Sequence, residues 1–392
     1  MAKKKKGLGK LVSALLGLVV GLVGGFYGLL WLTIPDTEDV IVTEETFYSK
    51  GGSTADPNID VEGSDISIHF LELGNKYTGD CTYIKAGDVD ILIDCGSKSN
   101  SVETIAKYLK NYMDDDVLEY VIVTHAHQDH YAGFATSSKV DGIFDLFKVG
   151  TIIDFAGTTT KQKDSATYKN YQTKLEKAVE NGAKHYTALD CITEDNDVPS
   201  SFDLGGNITL NILDTGFYSN PDKTNENNNS VCCMFTQHVE GGDDKNFLFT
   251  GDLEKKGEIE LCAKNDLPKV DLYKAGHHGS ATSSSKEFID TIQPDVVCVC
   301  CCAGSSEYTE DSAVQFPSQA FITNVGVWTD EIYVTTMCVD YKNSKFTSLN
   351  GNIVYMSAGE SYNVECSNNN TYLKDSDWFK NSGRVWPPSK AA

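Results

Sequence analysis

Apolar residues are distributed along this chain in three ways, and each predicts a different element. Residues 11–34, LVSALLGLVVGLVGGFYGLLWLTI, run for 24 positions without a charge. As a helix rising 1.5 Å per residue they would span about 36 Å, enough for a hydrocarbon core of about 30 Å. From Ile66 onward the apolar runs are short, rich in β-branched residues and closed by turn residues, which is a strand pattern. ISIHFLEL, TYIKAG, VDILIDCG and LEYVIVTH read this way. So do ITLNILDTG, SVCCMFTQ, NFLFTGD, VDLYKAG and VVCVCCC, and near the end EIYVTTM, GNIVYMS and YNVEC. Residues 101–112 and 165–182 instead carry apolar positions at helical spacing, the second closed by Gly182, and a further helix is expected over 285–292. Strands alternating with helices predict an α/β body. Residues 35–64 are polar and acidic, with SKGGSTADPNID among them, and read as a linker. Residues 366–392 show little periodicity and read as a C-terminal tail.

The flanks orient the first segment. Lys3, Lys4, Lys5, Lys6 and Lys10 precede it, and Asp36, Glu38 and Asp39 follow. Lysine excess marks the cytoplasmic side, so residues 1–10 form a basic cytoplasmic tail and everything after Pro35 is expected outside a bacterial cell membrane. Tyr27 and Trp31 lie towards the outer end, where interfacial aromatics sit. The competing reading is a cleaved signal peptide. Those have apolar cores of about 7–15 residues followed by a small-x-small site, and WLTIPDTED offers none. An uncleaved single-pass anchor over 11–34 is the expectation. Gly17, Gly21 and Gly25 recur every four residues, a spacing that would suit a helix-mediated homodimer.

Charge and cysteine narrow the function. The 392 residues carry 56 Asp+Glu against 33 Lys+Arg, a net charge of −23, with Arg384 the single arginine. Five of the lysines fall in the first ten residues and no acid precedes Asp36, so the body holds two acids for every base. Such a surface lacks the cations that neutralise phosphates in non-specific nucleic-acid binding. Nucleic acid remains a possible substrate only where metal ions meet its charge. The 12 cysteines form no paired C-x-x-C set, which argues against a structural zinc ribbon. Cys298–Cys302 in CVCCC read as a buried strand using cysteine as a small hydrophobe.

The chemistry is concentrated in VIVTHAHQDHYAGF. His125, His127, Asp129 and His130 lie within six residues directly after an apolar strand, in a chain with only 8 histidines. Strand C-termini are where α/β sheets place their sites. Burying four such groups unpaired would cost several kcal/mol, about 2–7 for each neutral polar group alone, so they are not core residues. The spacing suits His125 and His127 on one metal, with Asp129 and His130 on a neighbour.

THAHQDHYAG resembles the H-x-H-x-D-H motif of the metallo-β-lactamase superfamily, and further signatures follow in order. VDILIDCG resembles the strand ending in a structural aspartate, here Asp94, which would orient the metal-binding loop. NFLFTGD resembles the strand delivering a metal-bridging carboxylate, here Asp252. YKAGHHGSATSSS resembles the late histidine motif, here His277 and His278. HFLELG with Asp80, ENNNSV, and GHHGS followed by TSS and QPDVV are similar to the metallo-hydrolase domain of ComEC-type competence proteins. The resemblance spans roughly residues 66–360 and implies an αββα sandwich, two mixed β-sheets flanked by helices, over a catalytic domain at 65–365. It implies His125, His127, Asp129, His130, Asp252 and His277 as ligands to two divalent ions, with Zn²⁺ expected and Mn²⁺ or Fe²⁺ as alternatives. His278 would be a supporting or substrate-contacting group acting with Asp129 in catalysis, unless the two late histidines exchange roles. Asp80 and Asp94 would support the site without ligating. Two features depart from the family. One helix stands where ComEC proteins carry a multi-spanning channel, so DNA transport is not implied. The third histidine of the first metal is replaced by Asn227, Asn228, Asn229 and Ser230, leaving water or an asparagine to complete that site.

The function this implies is an anchored, outward-facing dinuclear hydrolase of phosphodiesters or phosphate esters that uses a metal-bridging hydroxide. Its substrate would be a small phosphoester, extracellular nucleic acid or an envelope phosphorylcholine. The competing readings are hydrolysis of a β-lactam, lactone or other cyclic ester or amide, and a non-catalytic surface domain.

Overall fold

The computed structural model describes residues 59–193 and 198–390. The expected basic tail, the apolar segment 11–34 and most of the linker lie outside the described residues, among which no helix is long and apolar enough to cross a membrane. The strands in chain order are β1 (Ile66–Phe70), β2 (Thr82–Ala86), β3 (Val89–Ile93), β4 (Val117–Val123), β5 (Lys148–Asp154) and β6 (Lys184–Thr187). Then come β7 (Ser201–Gly205), β8 (Ile208–Leu213), β9 (Cys232–Gln237), β10 (Lys245–Phe249), β11 (Leu272–Lys274) and β12 (Val296–Ala303). The last four are β13 (Glu331–Asp340), β14 (Lys345–Ser348), β15 (Ile353–Ala358) and β16 (Ser361–Cys366). They form two eight-stranded sheets, ordered β16-β15-β1-β2-β3-β4-β5-β6 and β14-β13-β12-β11-β10-β9-β8-β7.

Both sheets are mixed in the same way. β3 through β6 run parallel, as do β10 through β13, and the remaining neighbours are antiparallel. Alternation along the strands separates the layers. Phe247 and Phe249 of β10 face the core shared by both sheets, where Phe249 meets Phe70 and Phe235, while Leu248 between them faces outward. Each such side chain contributes roughly 1.5–3 kcal/mol by leaving water.

The longer or site-bearing helices are α1 (Ser101–Leu109), α2 (Gln128–Tyr131), α3 (Ala166–Glu180), α4 (Lys255–Lys264), α5 (Lys286–Ile292), α6 (Gln319–Val325) and α7 (Asp377–Asn381). Phe288, Ile289 and Ile292 of α5 and Phe321, Ile322 and Val325 of α6 cover the outward residues of the second sheet. Ile105, Leu109, Tyr171 and Leu175 of α1 and α3 join the core of the first. The arrangement is the expected αββα sandwich.

All eight residues of β12 are buried, so CVCCC is a core strand. Cys298 and Cys300 face the inter-sheet core and Cys301 the helices, and all are free thiols whose ionisation burial suppresses. Residues after 366 do not hang free of this body. Leu373 and Phe379 are buried in the outer core of the second sheet, with Trp378 and Trp386 packed against it. The end of the predicted linker is also engaged, through Ile59 against Val354 and Met356.

Candidate metal centre

Six chain segments bring their polar residues to one place because parallel strands of both sheets end there. Asp94 follows β3, Thr124 and His125 follow β4, Asp252 follows β10, and His277 and His278 follow β11. Asp80 precedes β2, and α2 carries Asp129 and His130. Of the eight histidines, five converge here. His69 sits in the core against Tyr108, His185 pairs with Asp154 and His238 with Asp244.

Asp94 is the organiser. Its backbone has φ 59°, in the left-handed region that most side chains avoid. There its carboxylate accepts from the Thr124 amide (2.8 Å) and hydroxyl (2.7 Å) and lies 2.7 Å from Nδ1 of His130. This pins the His130 ring and turns Nε2 inward, as an outer carboxylate does for a metal-binding histidine. His278 is fixed likewise, its Nδ1 2.9 Å from the Cys300 carbonyl and 3.1 Å from Asp80 Oδ1. Asp80 is in turn paired with Lys274 of β11, both buried, so the ion pair joins one sheet to the other under the site. Gly96 is required by close approach: a Cβ there would lie 1.6 Å from the Asp129 carbonyl oxygen.

Fixing Nδ1 makes the Nε2 atoms converge. His130 Nε2 lies 3.3 Å from His278 Nε2 and 3.1 Å from Asp252 Oδ2, and His278 Nε2 lies 3.4 Å from the same oxygen. Asp129 Oδ2 adds a 3.5 Å separation from His278 Nε2. Donors at about 2.0–2.1 Å from one tetrahedral ion are separated by about 3.3 Å. Next to this set, His125 Nε2 lies 3.0 Å from His127 Nδ1 and 3.8 Å from Asp252 Oδ2. Asp252 belongs to both groups, and its Oδ1 is buried without a hydrogen-bond partner. Among the described residues two donor groups could therefore hold a cation: His130, His278, Asp252 and Asp80, the last expected only to support the site, and His125, His127 and Asp252, with Asp129, an expected ligand, at the rim of the first.

The charges agree with that reading. Burial alone would strip the proton from His130, but the carboxylates of Asp252 and Asp94 hold its pKa up to about 10. Burial also opposes ionisation of Asp252, yet His130 and His278 keep it well below the usual carboxylate range. His125, buried and beside His130, is pushed well below the ordinary histidine range, as a neutral ligand requires.

His277, the ligand expected from the motif, stands apart from this cluster. Its Nε2 is 3.9 Å from Asp252 Oδ2, and its Nδ1 faces Thr282 Oγ1 (3.1 Å) and Glu254 Oε1 (3.5 Å) at the mouth. Both histidines have positive φ, 45° and 54°, a strained pair of the kind found at functional sites. The structure groups His278 with His130. Of the asparagine run, Asn227 reaches within 3.5 Å of His277 Nε2 with its Oδ1 buried and unpartnered, Asn228 and Asn229 bond Asp222, and Ser230 lies 3.4 Å from His125 Nδ1. Lys274 and Tyr308 were not anticipated. A lysine inside VDLYKAG, just before the histidine pair, was a readable signal; Tyr308 sits in a polar loop and carries none.

Residues 74–140 match the family model described as metallo-beta-lactamase superfamily. This stretch holds His125, His127, Asp129 and His130, and over it the chain is similar to that superfamily. The superfamily is one of metal-dependent hydrolases. Among curated proteins, the chain is 28% identical over 181 residues to ComE operon protein 3 of Bacillus subtilis, covering 45% of this chain and 19% of that protein. It is 42% identical over 52 residues to Recombination protein 2 of Haemophilus influenzae, covering 13% of this chain and 6% of that protein. The chain thus spans less than a quarter of the length of either relative. A solved structure, the metallo-beta-lactamase fold protein YhfI from Bacillus subtilis, superposes with a TM-score of 0.37 at 14% identity, covering 70% of this chain and 97% of that one.

Proposed function

We propose that this metallo-β-lactamase domain is an anchored, outward-facing hydrolase of phosphodiesters or phosphate esters that holds two divalent ions. The observation that carries the reading is Asp252 Oδ2, shared by two donor groups whose separations match the edges of a metal polyhedron. Nitrogen and oxygen donors without a thiolate suit Zn²⁺, with Mn²⁺ and Fe²⁺ as alternatives. Ions bound there supply Lewis acidity and lower the pKa of water from 15.7 to about 7. The chain's own groups do the rest. Asp129, at the rim of the His278 group, takes the proton released by the attacking water. His277, partly exposed and outside the ligand cluster, is placed to donate to an anionic phosphoryl oxygen. Asp94, Asp80 and Lys274 keep the inner rings in position.

The metal-loaded full chain is expected to hydrolyse bis(p-nitrophenyl) phosphate far faster than a chromogenic β-lactam. A short diester should also be less salt-sensitive than long DNA, because the acidic surface repels a polyanion. Cleavage of lactams or lactones with every phosphoester left intact would overturn the reading. The orientation rests on Lys3–Lys6 before, and Asp36, Glu38 and Asp39 after, the segment 11–34. Protease added to intact cells should remove the body; protection until lysis would refute an outward-facing domain.

A further inference from the structure

We propose that Tyr308 is a further catalytic residue, donating its phenolic proton to the leaving oxygen of the phosphoester and recovering one from Asp129. The assignment rests on the phosphoesterase reading above. Its basis is a direct contact. Tyr308 Oη donates to Asp129 Oδ2 at 3.0 Å, and that oxygen lies 3.5 Å from His278 Nε2. The phenol is therefore one carboxylate away from the candidate metal ligands. This is not a core tyrosine finding a convenient partner, since the residue is 59% exposed and reaches the site from the solvent side.

The loop bearing it is held in place. Its residues run from the end of β12 to the start of α6. At the near side, Glu307 Oε2 accepts from the Thr78 amide at 2.9 Å. At the far side, Arg384 donates to the carbonyls of Ser312 (2.6 Å), Gln315 (2.8 Å) and Pro317 (3.0 Å), with its guanidinium over the Trp378 ring. The single arginine of the chain, carried on the C-terminal segment, thus clamps this loop at three carbonyls. Phe316 braces the tyrosine from within, 5.5 Å from its ring and 5.8 and 5.9 Å from the rings of His277 and His278. Surface loops are ordinarily the mobile parts of a fold, and a donor must be held to within about 0.5 Å to be useful.

The chemistry needs such a donor. In phosphodiester hydrolysis a bond forms from the water oxygen to phosphorus. The bond to the leaving alcohol breaks, and its electron pair stays on the leaving oxygen. Water loses one proton and the leaving oxygen gains one. Asp80, Asp94, Asp129 and Asp252 are acceptors when ionised, and His130 and His278 direct Nε2 to the ligand cluster. Tyr308 supplies the proton to the leaving oxygen. Asp129 takes the proton from water and passes it to Tyr308 along their hydrogen bond, which restores both groups.

The test compares the metal-loaded full chain with its Tyr308→Phe variant on methyl aryl phosphates, from the acidic p-nitrophenol leaving group to the much less acidic phenol. The variant is expected to lose at least 30-fold more of its kcat on the phenyl ester than on the p-nitrophenyl ester. Its metal content by mass spectrometry should equal that of the wild type. Arg384→Gln, which frees the loop without touching the phenol, should show the same dependence on leaving group with metal retained. Equal losses on both esters, or a loss that follows metal content, would overturn the assignment of Tyr308 while leaving the phosphoesterase reading intact. A wild-type chain inert on both esters would overturn that reading, and this one with it.

Discussion

Asp252→Asn is expected to strip the chain of at least one of the two metal ions proposed for it and to lower turnover by a thousandfold or more. The side chain keeps its shape but loses the charge that both donor groups share. Asp252 Oδ2 is 3.1 Å from His130 Nε2, 3.4 Å from His278 Nε2 and 3.8 Å from His125 Nε2, and among the described residues no other carboxylate belongs to both donor groups. A thousandfold loss corresponds to about 4 kcal/mol of transition-state stabilisation. Metal analysis of the purified variant reads the first effect and phosphodiester turnover the second; unchanged stoichiometry would refute the shared-carboxylate reading. The substitution has a further signature in the metal-free chain. The pKa of His130, raised from 6.5 to about 10, means the folded state binds a proton that the unfolded chain releases. That contribution to stability is complete below pH 6.5 and is lost as the pH rises through about 10. Asp252 is the largest source of the upward shift, so in chelator the variant should unfold more readily than the wild type on the acid side, and the difference should shrink towards pH 10. With metal present the sign reverses: protons compete for the same nitrogen, and affinity falls on acidification.

Much of the site could be read from the chain because its signals are local. Three histidines and a carboxylate within six residues after VIVT require chemistry at a strand end, and the parallel strands β3, β4, β10 and β11 put their ends together. Strands with long β-branched or aromatic runs were visible for the same reason. β5, β6, β7 and β14 were not, because KVGTIID, KHYT, SFDLG and KFTS are short or interrupted by glycine and polar residues and gain their pairing only from a neighbour. The segment after residue 366 was read as a tail because Leu373, Trp378, Phe379 and Trp386 follow no repeat. Each fills its own gap in the outer core, which periodicity does not detect. Long-range pairing was equally silent. Asp80 and Lys274 are 194 residues apart and meet only because the two sheets stack face to face.

The two late histidines should separate cleanly by substitution, in the order opposite to the one the motif suggests. His278→Ala is expected to release metal and to reduce turnover by several orders of magnitude, whereas His277→Ala should keep its metal and lose roughly ten- to a hundredfold, the scale of one positioned donor. The difference comes from where each ring is tied. His278 is buried, its Nδ1 held by the Cys300 carbonyl and Asp80, and its Nε2 left at 3.3 Å from His130 and 3.4 Å from Asp252. A methyl group there removes one corner of the donor set and leaves Asp80 without its contact to His278, beside the buried pair it forms with Lys274. His277 is tied to Thr282 and Glu254 at the mouth, and its Nε2 stands 3.9 Å from Asp252. Its loss opens a place that water can fill and removes a donor to substrate rather than a ligand. Because Ala keeps the Cβ at either left-handed position, the backbone strain is common to both variants, and metal stoichiometry rather than melting temperature tells them apart. Retention of both ions by His278→Ala together with their loss from His277→Ala would return the ligand role to the first histidine and place His278 behind it.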